Sequence, residues 1–395
     1  MNMESIKPAI VAVGYNRPEA MKRLLNSVAH AFYPFDDIDL IVSIDESSRS
    51  NDVQQVAEQI PWNHGKKIIK RFDERQGLRK HIIQCGDLSE KYGAVIILED
   101  DLVVAPSFYF YTYLAVNHYA TEDRLSGIAL YSHSWNGYAN LEFRPVHNEF
   151  DAYFGQFSIT WGQCWTAKQW NGFKTWYLAH ENSLPEQNTA MPAAILHWSK
   201  QSWGKYFISY MVENDLYYLI PYCALTTNFT EIGQHNTHRD TAHQVCLLQG
   251  FKNKYDFPDF EDGIKYDSFF ERVFDNEIAG VSASDICVNL NGTKIDLRGK
   301  QYLLTTVIKR NCIRVASFGI DMHPIDANVS SNIQGSGIFL YSVGGDGCNL
   351  IPGDISLERL LYETYDLTWK QLFRTGIAKF KHALSMKMKK FGGKK

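Results

Sequence analysis

The sequence predicts an α/β fold with a mostly parallel central sheet, a small C-terminal β-rich region and a basic amphipathic tail helix. Three observations carry that expectation. Over the first hundred residues, short apolar runs alternate with helical periods across short connections, the pattern of strands buried between helical layers. From about residue 251, strand-like runs stand instead among Gly, Asn and Asp turns. From Trp369 to Lys395 there are nine Lys or Arg and no acid, so the first 368 residues hold 31 basic against 44 acidic groups. At 395 residues the chain exceeds one average domain. The shifts in composition divide it into residues 1–250 (halves 1–105 and 106–250), 251–365 and 366–395.

Taken in order, Ala9 to Gly14 (AIVAVG) reads as a strand covered on both faces. Arg17-Pro18 opens a helix, with Pro in the first turn, where its missing N–H costs nothing, and Met21, Leu24, Leu25 and Val28 along one side. Asp39 to Asp45 reads as a second strand, and Asn51 to Ile60 as a helix carrying Val53, Val56, Ala57 and Ile60. Lys66 to Phe72 is a third strand, Leu78 to Tyr92 a helix, and Ala94 to Leu98 (AVIIL) a fourth strand. Residues Asp151 to Tyr222 hold six of the nine tryptophans; Trp165, Trp170 and Trp176 are expected to pack a helical layer, leaving one or two rings exposed. Farther on, Ile286 to Ile295, Tyr302 to Ile308 and Ile338 to Val343 read as short strands.

On sheets of this kind, ligands bind beyond the carboxyl ends of the strands. Those ends carry Tyr15-Asn16-Arg17, Asp45, Asp73-Glu74-Arg75-Gln76-Gly77 and Glu99-Asp100-Asp101. No G-x-G-x-x-G or G-x-x-x-x-G-K-[ST] follows any of them, which excludes a nicotinamide dehydrogenase and a P-loop ATPase. A formal charge of −4 argues against a general nucleic-acid binder.

Adjacent carboxylates at a strand end hold a hard cation through oxygen and leave positions open for phosphate oxygens. A divalent ion at Glu99-Asp100-Asp101 would neutralise charge on a departing diphosphate. Arg17, Asp45 and Arg75 converge on the same crevice if the strands are parallel. An arginine forks onto phosphate oxygens, and a carboxylate accepts from a base or ribose donor.

The segment VIILEDDLVVAPSFYFY is similar to the metal-binding segment of GT-A glycosyltransferases of the N-acetylglucosaminyltransferase I type, and GYNRP and IVSID resemble their nucleotide-binding strand ends. RQGL before a helix, the acidic triplet, and then Trp161-Gly162-Gln163-Cys164-Trp165-Thr166 resemble bacterial family 2 sugar transferases of polysaccharide assembly. The stretch from Tyr217 through Pro221 and Asn228 to His235-Asn236-Thr237-His238 fits the same pattern. The resemblance covers roughly residues 8 to 240. It implies a GT-A fold, with 1–105 as the nucleotide-binding half and 106–250 as the acceptor half. It also implies that Asp101 is the principal ligand of Mn2+ or Mg2+, with His238 facing the diphosphate. Glu99 and Asp100 would face the sugar and ribose. Arg17 and Asp45 would contact the nucleotide, with Asn16, Arg75 and Gly77 in the same donor site, and Trp161-Gly162 would lie beside the donor sugar.

One departure stands out. The families resembled place an acid after a Trp shortly before the late strand, as base for an inverting transfer. Here the stretch reads Trp203-Gly204-Lys205-Tyr206-Phe207. A base must reach the attacking hydroxyl; the substitutes nearest in sequence are Glu213, Asp215 and His197.

Along the tail, Trp369, Phe373, Ile377, Phe380, Leu384, Met388 and Phe391 recur at three- or four-residue steps, flanked by lysines. Such a helix suits an anionic membrane interface. Without an apolar leader or a run of ~20 apolar residues, the expected location is cytoplasmic, peripheral on the inner face of the cell membrane. The seven cysteines, odd in number and never C-x-x-C, read as scattered thiols. The Asn-x-Ser/Thr triplets at Asn228, Asn291 and Asn328 then read as accidental. The expected function is metal-dependent, inverting sugar transfer from a nucleoside-diphosphate donor to a hydroxyl of a glycan or lipid-linked acceptor in surface polysaccharide assembly. The alternative is a saccharide-binding or scaffolding protein that kept the fold and lost its base.

Overall fold

A computed structural model describes residues 5–182, 189–229, 243–344, 350–364 and 367–392. The chain begins β1 (Ala9–Gly14), α1 (Pro18–Ala29), β2 (Leu40–Ile44), α2 (Ser50–Gln59), β3 (Lys67–Arg71), α3 (Leu78–Gly86), α4 (Ser89–Tyr92) and β4 (Ala94–Glu99). It continues with β5 (Leu102–Val104), α5 (Phe108–His118), β6 (Leu125–Ala129), the ribbon β7 (Trp135–Asn136) and β8 (Leu141–Glu142), β9 (Ala152–Gly155) and β10 (Gln163–Thr166). Next come α6 (Ala167–His180), α7 (Ala193–Leu196), α8 (Trp203–Glu213), β11 (Tyr217–Pro221), β12 (Thr226–Asn228), β13 (Lys265–Tyr266) and β14 (Arg272–Val273). The rest comprises β15 (Ile286–Asn289), β16 (Tyr302–Thr305), β17 (Ile313–Phe318), α9 (Ala327–Ser330), β18 (Ile338–Ser342), α10 (Leu357–Tyr362) and α11 (Trp369–Gly392).

Ten strands form one sheet in the order β14-β13-β9-β11-β6-β10-β4-β1-β2-β3. The block β4-β1-β2-β3 is wholly parallel, as the buried apolar runs predict, while β10 enters antiparallel to both β4 and β6. Both faces of β1 are covered because all six of its residues are apolar or Gly. On one face lies a core with the buried sides of α1, α2 and α5, including Met21, Leu24, Val53 and Phe108. On the other lie α3, α6 and α8. The aromatic stretch supplies that second core: Trp165 and Trp170 are fully buried, ring centroids 4.8 Å apart, and Trp165 Nε1 donates to Tyr218 Oη at 3.0 Å. Each such ring removes 150–250 Å2 of surface from water, so this layer is a structural wall rather than a ligand surface.

Strand pairing carries the central sheet through β13 and β14 to Val273, beyond the boundary expected at residue 250. A separate sheet, β15-β16-β18-β17, follows and encloses its own core around Leu304, Ile338 and Leu340. The segment 313–318 was not among the expected strands; its three exposed leading residues, Ile313, Arg314 and Val315, mark an edge rather than a buried run. The all-thiol reading also needs correction, since Cys312 is disulfide-bonded. Cys85, Cys164, Cys223, Cys246 and Cys287 are free. No helix among the described residues is long and apolar enough to cross a membrane.

A buried polar clasp joins the two sheets. Glu271 Oε1 accepts the Asn291 N–H at 2.7 Å, Asn291 Nδ2 donates to the Phe270 carbonyl at 3.1 Å, and Lys294 Nζ pairs with Asp267 at 2.6 Å. Burial pushes Glu271 up from an ordinary 4.5 to about 7, against the opposing pull of Lys294. An acid with a raised pKa stabilises the fold most when protonated. That contribution is full below 4.5 and is lost as pH rises through about 7. Glu271→Gln, which stays neutral, should therefore gain stability relative to the parent by roughly 2–3 kcal/mol between pH 5 and pH 8.5. Urea unfolding at the two pH values checks this, and an unchanged difference would refute it.

Candidate functional site

The register Val13↔Glu99 brings the ends of β1 and β4 side by side. Arg17, immediately before Pro18 at the start of α1, hydrogen-bonds Asp100 Oδ1 and lies 3.5 Å from Asp101 Oδ2. The Tyr15 N–H also points at Asp100. One guanidinium thus pairs with two adjacent carboxyls, and its charge also acts on Glu99. Burial pushes Asp100 up to about 6 even though Arg17 opposes the rise, and Asp101 is also raised by burial. Glu99 goes to about 8, first through burial and then through Asp101 and Asp100. Asp100 Oδ2 and Asp101 Oδ1 are buried with no hydrogen-bond partner. Unmet carboxylate oxygens are the donor set a hard cation takes, so these residues fit such an ion. Among the described residues no three His, Cys, Asp or Glu side chains converge on one position.

Asp45 has a different task. It is 4% exposed, and its Oδ1 accepts the N–H groups of Glu46 (2.9 Å) and Gln76 (2.6 Å), while Oδ2 accepts that of Gly77 (2.9 Å). The carboxylate ties the end of β2 to the loop before α3. Gly77 is held at φ 75°, where a side chain would be strained. Arg75 lies over the Tyr15 ring at 4.9 Å, and Asn16 is half-buried beside it in sequence. The residues of the expected nucleotide site therefore share one edge of the sheet.

Trp161 and Gly162 join them through β12. Thr226 Oγ1 donates to the Trp161 carbonyl, and Gly162 N–Cα geometry is left-handed at φ 98°; a Cβ there would lie 2.8 Å from Thr226 Cγ2. With the Asn228 amide oriented to satisfy both its groups, Trp161 Nε1 donates to its oxygen at 3.2 Å. Asn228 pairs with Leu102, and the Phe229 N–H donates to the Asp101 carbonyl at 2.8 Å. The tryptophan is thus linked to the acidic turn.

Two of the three substitute bases, Glu213 and Asp215, do not reach this edge. Trp203, at the start of α8, hydrogen-bonds Glu99 through its side chain. Glu213 is at the other end of that helix, about 15 Å away at 1.5 Å per residue, and accepts from Trp176 Nε1 at 3.1 Å. Asp215 precedes β11 at the opposite, amino edge of the sheet and is held by Gln156 Nε2 at 3.2 Å. His197 is exposed, its Nδ1 on the Ala193 carbonyl at 2.7 Å. His238 lies outside the described residues. The position at Gly204 is crowded by side chains: a Cβ there would lie 2.7 Å from Ser158 Oγ and 3.1 Å from Thr160 Cγ2, so both would have to shift to admit one. Lys205 turns away to the Leu196 carbonyl at 2.7 Å.

Sequence reading did not single out the loop after β6. His133 there is buried, with Nδ1 lacking a hydrogen-bond partner, among Tyr131, Phe157, Phe270 and Trp161. Burial, and then His243, lower its pKa to about 3, so the imidazole is neutral. The carboxyl-end rule applied to Leu125–Ala129 (LSGIA) would have pointed to it, but that strand is short and carries Ser and Gly.

No family model matches the chain, and no curated protein matches its sequence. Among solved structures it is similar to S. aureus TarS residues 1–349 in complex with UDP-GlcNAc, at 13% identity and TM-score 0.37, over 58% of this chain and 60% of that one. It is also similar to the mannosyltransferase PcManGT from Pyrobaculum calidifontis in complex with GDP-Man and Mn2+, at 12% identity and TM-score 0.29, over 42% and 46%. The chain spans about 60% of the length of the TarS fragment.

Arg17→Met should lower stability by about 2–3 kcal/mol at neutral pH, because it strands buried carboxylates. Adding Asp100→Asn to that variant should recover part of the loss. A double-mutant cycle by urea unfolding tests this, and strict additivity would contradict it.

Proposed function

We propose that this chain is a metal-dependent glycosyltransferase that moves a sugar from a nucleoside-diphosphate donor to a hydroxyl of a glycan or lipid-linked acceptor. The observation that carries the reading is the Arg17–Asp100–Asp101 cluster, with two buried, unmet carboxylate oxygens at the carboxyl edge of a parallel sheet. Arg17 would fork onto diphosphate oxygens. A divalent ion, Mn2+ or Mg2+, held by Asp101, would supply positive charge for the departing nucleoside diphosphate. Asn16, Arg75 and the loop organised by Asp45 would border the nucleotide, with Asp100 toward the ribose. Glu99 would face the sugar, which would lie beside Trp161 and Gly162. Inverting attack by an acceptor hydroxyl would come from the 106–250 side, in surface polysaccharide assembly. The tail helix α11, whose Trp369, Phe373 and Phe380 are 77%, 62% and 66% exposed, would lie in an anionic membrane interface on the cytoplasmic side.

A specific observation favours a second reading, a saccharide-binding scaffold: Gly204 stands where the resembled families carry an acid, and Glu213 and Asp215 lie away from the crevice. One experiment separates the two. Nucleotide sugars, beginning with UDP-GlcNAc and GDP-mannose, are tested for binding and for release of nucleoside diphosphate with Mn2+ or Mg2+. An enzyme should turn over, and Asp101→Asn should reduce release by about a hundredfold or more. Binding without release on any glycan acceptor supports the scaffold, and no binding by any nucleotide sugar sinks both readings.

A further inference from the structure

We propose that the loop from β16 to β17, together with the edge strand β17, forms a second contact with an anionic lipid surface, acting beside α11. This rests on the reading of α11 given above and extends it to the C-terminal sheet. Among the described residues β17 is an edge of that sheet, paired along its length with β18 and bridged only at its end, from Phe318 to Gln334. Edge strands in proteins are usually blunted or covered, because their outer N–H and C=O groups invite pairing. This one has a register shift between Arg314 and Ala316 and a cation at Arg314, which blunt it against strand pairing, and it still presents Ile313 at 75% and Val315 at 42% exposure, after Ile308 at 64%. From Leu297 to Ile320 the sequence has five Lys or Arg and no acid. Of these, Arg310 and Arg314 are exposed beside the apolar residues. Apolar side chains rimmed by cations, on an acidic protein, match an anionic headgroup layer over acyl chains.

The contact is tied to the segment that leads, along the chain, into the tail. Lys309 donates its N–H to Tyr341 Oη and pairs with Asp354 at 3.3 Å, which fastens the loop to the segment leading into α10. The α10 helix turns Arg359 and Tyr362 inward and leaves Leu357 70% exposed. Only a few residues then separate it from α11. A second copy of the chain is the less suitable occupant. Antiparallel pairing of two β17 edges would bring Arg310 and Arg314 close to the same cations of the other copy, and like charges facing each other destabilise a strand pair.

The test uses the full chain and vesicles of phosphatidylcholine alone or mixed with phosphatidylglycerol. Ile308→Asp with Ile313→Asp should weaken partitioning onto the mixed vesicles about tenfold, with the thermal midpoint unchanged because both side chains are exposed. Phe373→Asp with Phe380→Asp should weaken it separately, and all four substitutions together should abolish it. Wild-type binding by the Ile308/Ile313 variant would overturn the proposal while leaving the tail reading intact. Wild-type binding by the Phe373/Phe380 variant, with loss in the other, would remove the tail and keep the loop. Equal binding to pure phosphatidylcholine, or a dimer that Ile313→Asp disperses, would also overturn the anionic-surface assignment. Absence of binding by the wild type would overturn both.

Discussion

Three carboxyl groups stand in consecutive residues at the end of a buried strand with one guanidinium, paired to two of them, to answer their charge, and the rest of the carboxyl edge is arranged around that imbalance. Like charges so close interact strongly wherever water is thin, and burial raises Glu99, Asp100 and Asp101 together. Arg17 holds its place because β1 pairs with β4 in register and because Pro18 starts α1 immediately afterward. Removing any of these three features would leave negative charge without a partner. The contrast with Asp45 is instructive. That carboxylate is just as buried, yet three main-chain N–H groups answer it fully. The two acidic positions therefore divide the work: Asp45 is finished as a structural part, while the Glu99–Asp101 turn still has capacity to spend on a ligand.

The amino-terminal third was legible because its strands lie between two helical layers. Such strands are continuous apolar runs, and β1, β2 and β4 begin and end within a residue or so of the expected limits. The expected helix from Leu78 to Tyr92 is real but breaks at Asp87 and Leu88 into α3 and α4. The sequence was less informative where a strand is an edge or very short. β17 reads Ile-Arg-Val-Ala-Ser-Phe, neither alternating cleanly nor uniformly apolar, and β13 and β14 have two residues each. Those two short strands move the end of the central sheet past residue 250.

The site shows the same division. Residues at the ends of long buried strands, Arg17, Asp45 and Glu99–Asp101, were brought together as topology requires. Glu213 and Asp215, chosen by nearness in sequence to a missing motif, were not, because α8 runs from one edge of the sheet to the other. Spacing along a helix of eleven residues is distance in space, and proximity in sequence said nothing about which end faced the crevice. At Gly204 itself, Ser158 and Thr160 have moved into the space that a side chain would need.

The bonds made by Asp45 have a consequence for kinetics. A loop whose N–H groups at Gln76 and Gly77 are already held does not have to be ordered when something arrives beside it. The conformational entropy of that segment is lost during folding, not during encounter. A molecule approaching the β2 and β3 strand ends meets a preformed rim, so its capture there would be governed by diffusion and charge rather than by the slow closing of a mobile flap.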